Sequence, residues 1–239
     1  MPFKTELHAH TSEVSPCADL TASEVAERYI AAGYTTVMVT NHYSNASFID
    51  DTSDTWEQEI NHYLSGYLLM KEAAKGRLNV LLGCELRFQE NGNDYLILGL
   101  DEDFLIKHPH LHKMSLADFS SLARKNNLLI VQAHPFRNGM LRAPVEYLDG
   151  VEVFNAHTGH NSRNQLANEW ALSNALIRTS GSDFHHSHSV EAGGIITDDP
   201  ITSQAQLIAV LKSKQYWLIC EGPAAERDGM KTFLATNKF

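Results

Sequence analysis

Residues 3–10 read Phe-Lys-Thr-Glu-Leu-His-Ala-His, a short strand-like stretch that ends in two histidines. Because residues i and i+2 of a strand face the same side, His8 and His10 can direct both imidazoles at one point. Four later segments have the same form, since each is a strand-like run followed by histidine or a carboxylate. These segments end in Asn41-His42, Gly83-Cys84-Glu85, Ala133-His134-Pro135 and Ser182-Asp183-Phe184-His185. Five such strand ends at one edge are typical of a multinuclear metal site.

Strand and helix signals alternate along the rest of the chain. Thr21 and Glu24 have the spacing of a capping box, which predicts a helix that stops at Gly33. Residues 34–40 are apolar and β-branched, as in a buried parallel strand. Further strands are predicted near residues 78–82, 95–100, 128–132, 150–154, 176–179, 194–197 and 216–220. Alternation of this kind predicts an α/β fold with a parallel sheet.

The position of the metal-binding residues favours a barrel over an open sheet. In a barrel of βα units the C-terminal ends of successive strands converge on one face. No glycine-rich loop follows the first strand, so a Rossmann or P-loop fold lacks its defining element. At 239 residues and 43% hydrophobic content, the chain is long enough for one large core. We therefore expect a single domain over residues 1–239.

Composition limits the partners. The net charge of −10 and the pI near 5.7 leave no general basic surface for a nucleic-acid backbone, so long nucleic acids are not expected partners. The sequence has no signal-peptide core and no apolar run of membrane-spanning length, which predicts a cytoplasmic protein without membrane contact. The three cysteines are far apart and form no CxxC pair. Cys17, in the loop after the histidine pair, is assigned no role.

The residue types suit divalent cations. Neutral imidazoles of His8 and His10 can bind one cation, and the Glu85 carboxylate can bridge two cations about 3.5–4 Å apart. Asp183 adds a second hard ligand. Such a bridged pair activates water and neutralises phosphoryl oxygens, which is the chemistry of two-metal hydrolases.

In this order the segments resemble those of the polymerase and histidinol phosphatase (PHP) family of metal-dependent phosphoesterases. The resemblance runs from His8 to about His185. It implies a distorted (β/α)7 barrel of the TIM type with two or three zinc, manganese or iron ions at the C-terminal end of the strands. It further implies a first site with Glu85 bridging to a second cation at His134, and a third cation at His42 and His185. The implied ligands of the first site are His8, His10, Glu85 and Asp183.

The sequence departs from the family pattern at three points. Asn41 stands where many members have Asp, which could weaken the orientation of His42. No histidine or aspartate follows the first pair closely, so Glu13 is the candidate ligand for the third cation. The second-site histidine is not evident either, and that ligand stays open between the region of Asn93 and Asp94 and the later group His108, His110 and His112.

Two arginines indicate the substrate. Arg87 follows Glu85 and Arg137 follows His134, each in a loop expected to open on the metal face, and guanidinium groups suit phosphate. His157 is a candidate substrate contact in the loop after the next strand, where Asn155 and His160 are further possibilities. Asp183 and His185 are the candidate catalytic residues.

The predicted function is hydrolysis of a small phosphate monoester, such as a nucleotide or a histidinol-phosphate-like compound. Two alternatives stay open. One is a phosphodiesterase or exonuclease that acts on oligonucleotides, and the other is a metal-binding module without turnover. The sequence does not select among phosphate esters, among metals, between two and three cations, or among oligomeric states.

Overall fold

The computed structural model describes residues 2–48 and 55–235. The strands are mostly short and buried on both faces. They are β1 (Phe3–Ala9), β2 (Thr36–Val39), β3 (His42–Tyr43), β4 (Asn79–Leu82), β5 (Cys84–Leu86), β6 (Tyr95–Leu98), β7 (Leu129–Gln132), β8 (Gly150–Asn155), β9 (Ile177–Gly181), β10 (Ile195–Thr197), β11 (Trp217–Leu218) and β12 (Phe233–Leu234).

The helices lie between these strands along the chain. They are α1 (Ala22–Ala31), α2 (Trp56–Ala74), α3 (Glu102–Lys107), α4 (Leu116–Lys125), α5 (Asn164–Ser173), α6 (Gln204–Ser213) and α7 (Gly222–Asp228). The capping box of Thr21 and Glu24 at the start of α1 is present as predicted. Thr55 and Ser115 cap α2 and α4 with their side chains. None of the described helices has both the length and the apolar character needed to cross a bilayer.

The α/β class is confirmed, but the strands do not form a closed parallel barrel. Within the described ranges they form two six-stranded sheets, in the orders β12-β11-β10-β1-β2-β4 and β3-β5-β6-β7-β8-β9. β6 is antiparallel to both β5 and β7, and β10 is antiparallel to β1 and β11. Residues 87–94 are too few for a helical crossover, so β5 and β6 can pair only as antiparallel neighbours.

Broken strands connect the two sheets. β2 continues into β3, and β4 into β5, after a break of one or two residues, so one half of each strand lies in each sheet. At the opposite edge, a single parallel bridge joins Ala9 at the end of β1 to Phe184 just after β9. The ends of β1, β3, β5, β7 and β9 consequently meet in one region, where most of the predicted metal ligands lie.

Candidate metal centre

The centre is built around a buried carboxylate, Glu85 of β5. Its neighbour in strand register is His42 of β3, whose Nδ1 lies 2.8 Å from Glu85 Oε2. The His10 Nε2 atom is 3.4 Å from the same oxygen. On the other oxygen, Oε1, His134 Nε2 lies at 3.1 Å and His8 Nε2 at 3.4 Å. Glu85 therefore contacts four imidazoles at once.

Asp183 approaches the same imidazoles from the opposite edge. Its Oδ1 atom is 3.3 Å from His8 Nε2 and 3.6 Å from His10 Nε2. Its Oδ2 atom is 3.4 Å from His160 Nε2 and accepts a hydrogen bond from Asn155 Nδ2 at 3.1 Å. Asp183 has a left-handed backbone, with φ of 50°, as does His134, with φ of 28°. Non-glycine residues in this region are strained, and such strain concentrates at functional sites.

Ligand atoms cluster in three groups among the described residues. In each group the nitrogen and oxygen atoms lie within 4.8 Å of one another, close enough to share a cation. The groups are His8, His10 and Glu85; Glu85, Asp94 and His134; and His10, His42 and His185.

The imidazoles of the first group are oriented with Nε2 toward the shared carboxylates. His8 Nδ1 lies 2.8 Å from Glu152 Oε1, and His10 Nδ1 lies 3.3 Å from Ser15 Oγ. When the ring is neutral, these outer bonds place the proton on Nδ1 and a lone pair on Nε2. The Nε2 atoms of both residues are buried and form no hydrogen bond within the described part of the chain. Buried polar atoms left unpaired are costly, and a divalent cation would satisfy both, so the donor set fits the implied metal.

Charges within the cluster shift its titration. Burial opposes the charged form of each group, but ion pairing outweighs it at most positions. The carboxylates of Asp183, Glu152 and Glu85 hold the pKa of His8 well above its usual range, and the Glu85 carboxylate raises the pKa of His42 to about 10. Asp183 likewise raises the pKa of His185 to about 10. In the cation-free protein, protons therefore occupy these imidazoles, and cation binding must displace them.

His10 behaves differently. Burial and the neighbouring His185 and His42 lower its pKa well below the usual range, so this imidazole is neutral at physiological pH. The Glu85 carboxylate, although burial opposes its ionisation, has a pKa well below the usual range because of His42 and His8. A neutral imidazole and an ionised carboxylate are the ligand forms that a divalent cation requires.

Glu152 of β8 is a second carboxylate shared by several residues of the cluster, which it contacts through hydrogen bonds. Besides the His8 contact, its Oε2 atom accepts from the backbone N–H of His134 at 3.0 Å and from Asn155 Nδ2 at 2.9 Å. It therefore orients one ligand ring and fixes the backbone of another. The sequence prediction did not include Glu152, although a single acidic residue in the apolar run Gly-Val-Glu-Val-Phe is a recognisable signal.

Glu6 of β1 forms a second internal anchor. Its Oε1 accepts from the backbone N–H groups of Leu7, His8 and Ser182, each at 2.9 Å. Its Oε2 accepts from Ser182 Oγ at 2.5 Å and from Tyr29 Oη at 3.1 Å. Because Ser182 precedes Asp183, this carboxylate joins β1, which carries His8 and His10, to the segment that carries Asp183. It also was not among the predicted residues.

The structure does not bring Glu13 into the cluster. Both of its carboxylate oxygens accept from the backbone N–H of Ala22, at 2.9 and 3.1 Å, which stabilises the start of α1. Asn41 also differs from expectation, because its side chain holds the loop after the histidine pair rather than the His42 ring. Its Oδ1 accepts from the Thr11 N–H at 2.8 Å and from Ser15 Oγ at 3.0 Å.

Among the candidates for the open second-site ligand, Asp94 lies beside Glu85 and His134. Asp94 Oδ2 is 4.0 Å from His134 Nε2, in the group that also contains Glu85. The alternative group lies elsewhere, since His112 is stacked on Phe48 and His108 Nδ1 contacts its own helix at the carbonyl of Phe104.

Asp94 is also the partner of Arg87. The guanidinium donates from Nε and one Nη to the two carboxylate oxygens at 2.6 and 2.7 Å, and Arg87 also lines the cavity above the cluster. Arg137 has no acidic partner in the described ranges and lines the cavity above the cluster. Arg142 lies over the Phe136 ring, outside this cavity.

This cavity has a volume of about 290 Å³ and contains further imidazoles. His157 is stacked on His160 with a centroid distance of 4.5 Å, and its Nδ1 accepts from the Gly159 N–H at 2.9 Å. Burial lowers the pKa of His157 to about 4, so the ring is neutral at physiological pH. Because Nδ1 accepts this hydrogen bond, the ring proton is on Nε2. Cys17 also lines the cavity, together with His42 and His185. Although burial opposes ionisation, these two imidazoles lower the pKa of Cys17 to about 6.

Comparison with known proteins rests on fold alone. No family model matches the sequence, and no curated protein matches it. Among solved structures, a two-domain protein from Bacteroides vulgatus containing a predicted PHP-like metal-dependent phosphoesterase is similar, with a TM-score of 0.66 and 16% identity. The match covers 92% of this chain, which spans 65% of the length of that protein.

Two further structures have the same fold. One is a protein from Bifidobacterium adolescentis described as a metal-dependent phosphoesterase, with a TM-score of 0.53 and 14% identity. That match covers 89% of this chain and 97% of the other. An amidohydrolase from Chromobacterium violaceum, with sulfate bound and no metal, has a TM-score of 0.56 and 17% identity. That match covers 87% of this chain and 96% of the other. In fold, as its motifs predict, the chain resembles PHP-like metal-dependent phosphoesterases.

Proposed function

We propose that this protein is a metal-dependent phosphoesterase that hydrolyses a small phosphate monoester. The observation that carries the proposal is the position of Glu85, whose two oxygens contact imidazoles of all three ligand groups. A shared carboxylate of this kind suits cations held side by side. When bound, such cations supply Lewis-acid activation of water and neutralise phosphoryl charge.

The ligands would divide among two or three zinc, manganese or iron ions. His8, His10, Glu85 and Asp183 would hold the first, and Glu85, His134 and Asp94 the second. His42 and His185 would hold the third. Asp183 and His185 would act at the reacting centre, because both side chains line the cavity and lie beside the other candidate ligands.

The cavity supports a small anionic substrate. Arg137 offers a guanidinium without an acidic partner, which can donate two parallel hydrogen bonds to phosphoryl oxygens. His157, neutral and protonated on Nε2, can donate a further hydrogen bond to the same group. Arg87 would act indirectly while paired with Asp94, by fixing the orientation of that carboxylate.

Size and charge favour a monoester over an oligonucleotide. A cavity of about 290 Å³ lies at the lower end of the range for small-molecule sites. The net charge of −10 repels a polyanion, whereas one phosphoryl group needs only a local cationic pocket. We infer that the protein acts in the cytoplasm on small phosphorylated metabolites.

The test is a panel of phosphate monoesters offered to protein loaded with Mn²⁺, Zn²⁺ or Fe²⁺ between pH 6 and 9. We expect phosphate release that requires metal, and a KM at least tenfold higher in Arg137→Ala. Arg142→Ala is the matched control, because Arg142 lies outside the cavity, and its KM should be unchanged. Absence of phosphate release with every metal would refute the proposal.

A second candidate is hydrolysis of an amide. The fold shared with the amidohydrolase from Chromobacterium violaceum favours it, and cations that polarise a phosphoryl group can also polarise a carbonyl. Small amides and oligonucleotides should be assayed beside the monoesters. Turnover of amides alone would replace the phosphoesterase proposal, and turnover of oligonucleotides alone would favour a phosphodiesterase. Tight metal binding without turnover of any class would indicate a non-catalytic module.

A further inference from the structure

The third ligand group has a feature that indicates a missing partner. His42 Nε2 and His185 Nε2 face each other at 3.4 Å. Both rings have an acceptor at Nδ1, since His42 Nδ1 lies 2.8 Å from Glu85 Oε2 and His185 Nδ1 lies 3.1 Å from the Asp183 carbonyl. Cation binding requires neutral rings, and in that form the Nδ1 protons face these acceptors while both Nε2 lone pairs are directed at the space between the rings, where a cation could bind.

The same group contains His10, whose side chain is fully buried. Its Nε2 atom lies within 4.8 Å of the ligand atoms of His42 and His185 and forms no hydrogen bond in the described part of the chain. His10 also faces Glu85 and Asp183 in the first site, at 3.4 and 3.6 Å. If His10 serves the first site, the third site retains only two imidazoles and needs another protein ligand.

Cys17 lies in the position to supply it. It lines the cavity together with His42 and His185, and its thiol interacts electrostatically with both imidazoles. Glu13, the other candidate from this loop, directs its carboxylate at the N–H of Ala22. Cys84 and Cys220 are buried in the core and do not line this cavity.

We propose that Cys17 is a thiolate ligand of the third cation, together with His42 and His185. The inference rests on the proposed metal-dependent function and names the ligand set of one of its sites. Binding would release to solvent the protons held by His42 and His185, together with the thiol proton where it is present, and would form a metal–sulfur bond. Because thiolate is a soft ligand, this site would select Zn²⁺, Fe²⁺ or Co²⁺ over Mn²⁺ and Mg²⁺, whereas the carboxylate-rich first site would accept the harder ions.

The test uses the full chain loaded with Co²⁺, which gives a near-ultraviolet sulfur-to-metal charge-transfer band when a thiolate is bound. We expect this band in the wild-type protein and its loss in Cys17→Ser, with one cobalt fewer per chain by elemental analysis. Cys220→Ala and Glu13→Gln are the controls, and both should keep the band. Circular dichroism establishes that each variant is folded.

A second measurement does not depend on any variant. Iodoacetamide should alkylate Cys17 in the metal-free protein, and Zn²⁺ should slow that reaction at least tenfold, as followed by peptide mass spectrometry. A cobalt band that persists in Cys17→Ser, its absence from the loaded wild type, or equal alkylation with and without zinc would each overturn the proposal. Neither readout requires turnover, so a protein that shows the band but hydrolyses no substrate would refute only the proposed function.

Discussion

The substitution Glu152→Gln tests whether the hydrogen bonds of the Glu152 carboxylate determine the metal affinity of the cluster. Glu152 accepts three hydrogen bonds, one from His8 Nδ1 on Oε1 and two, from the His134 N–H and Asn155 Nδ2, on Oε2. Glutamine has nearly the same shape but only one acceptor oxygen. It therefore removes part of this network without creating a cavity.

Both orientations of the new amide are unfavourable. If the amide oxygen faces His8, the NH₂ group faces two N–H donors, and each buried donor left unpaired costs about 1–3 kcal/mol. If the oxygen faces those donors, the NH₂ group faces His8 Nδ1, which must become an acceptor. The ring proton then moves to Nε2, the atom that would bind the cation. Loss of such a supporting carboxylate typically weakens metal affinity 10–100-fold, or roughly 1.4–2.7 kcal/mol.

Competition with a zinc-binding fluorescent chelator measures this change directly. We expect the zinc dissociation constant of Glu152→Gln to rise 10–100-fold, while that of Glu169→Gln, an exposed position on α5, stays within twofold. The substituted protein should also melt at a lower temperature. A dissociation constant for Glu152→Gln within twofold of the wild type would refute the reasoning that Glu152 sets the tautomer of His8.

Three further predictions concern the same region. In Gly181→Ala the new Cβ would lie 2.4 Å from the His8 Cβ, so we expect a loss of about 1–3 kcal/mol of unfolding free energy and weaker zinc binding. Gly92→Ala is the control and should melt like the wild type, because its new Cβ would lie at an ordinary contact distance of 3.8 Å from the Gly139 carbonyl oxygen. In the cation-free protein, His42 and His185 each have a pKa of about 10, against an ordinary 6.5. Their protonated imidazoles stabilise the fold fully below pH 6.5 and progressively less as the pH rises toward 10. The melting temperature in EDTA should therefore fall across that window, and a constant or rising value would contradict this assignment. At pH 7, removal of bound metal by EDTA should lower the melting temperature by several degrees, as measured by calorimetry, because ligand binding to the native state alone is stabilising.

The sequence located most of the cluster because its ligands stand at strand ends. His8, His10, His42, Glu85, His134, Asp183 and His185 all come together, and each follows or ends an apolar run that is readable without a structure. Glu13 does not lie in the cluster. It is in a loop, where no strand or helix periodicity in the sequence indicates which way a side chain points. Its distance along the chain from the histidine pair suited a ligand, but its carboxylate caps the backbone at Ala22.

The α/β class was predicted from the sequence, but the described strands form two sheets rather than the predicted (β/α)7 barrel, for a related reason. Residues 95–98 are buried on both faces, and an apolar strand of that kind carries no signal for its direction. The short connection after β5 was the only indication that β6 runs antiparallel. The anchors Glu6 and Glu152 were overlooked because acidic residues in strands are ordinarily solvent-exposed, and only their burial shows that they serve the ligands.

The bonds from Glu6 to Ser182 connect residues that are 176 positions apart. During synthesis on the ribosome, the first pair of imidazoles emerges long before the segment that carries Asp183 and His185. The growing chain therefore cannot assemble the complete cluster until the segment of Asp183 and His185 has been made. A cation that needs all of these side chains could bind only after that point, when the long-range bonds of Glu6 can form.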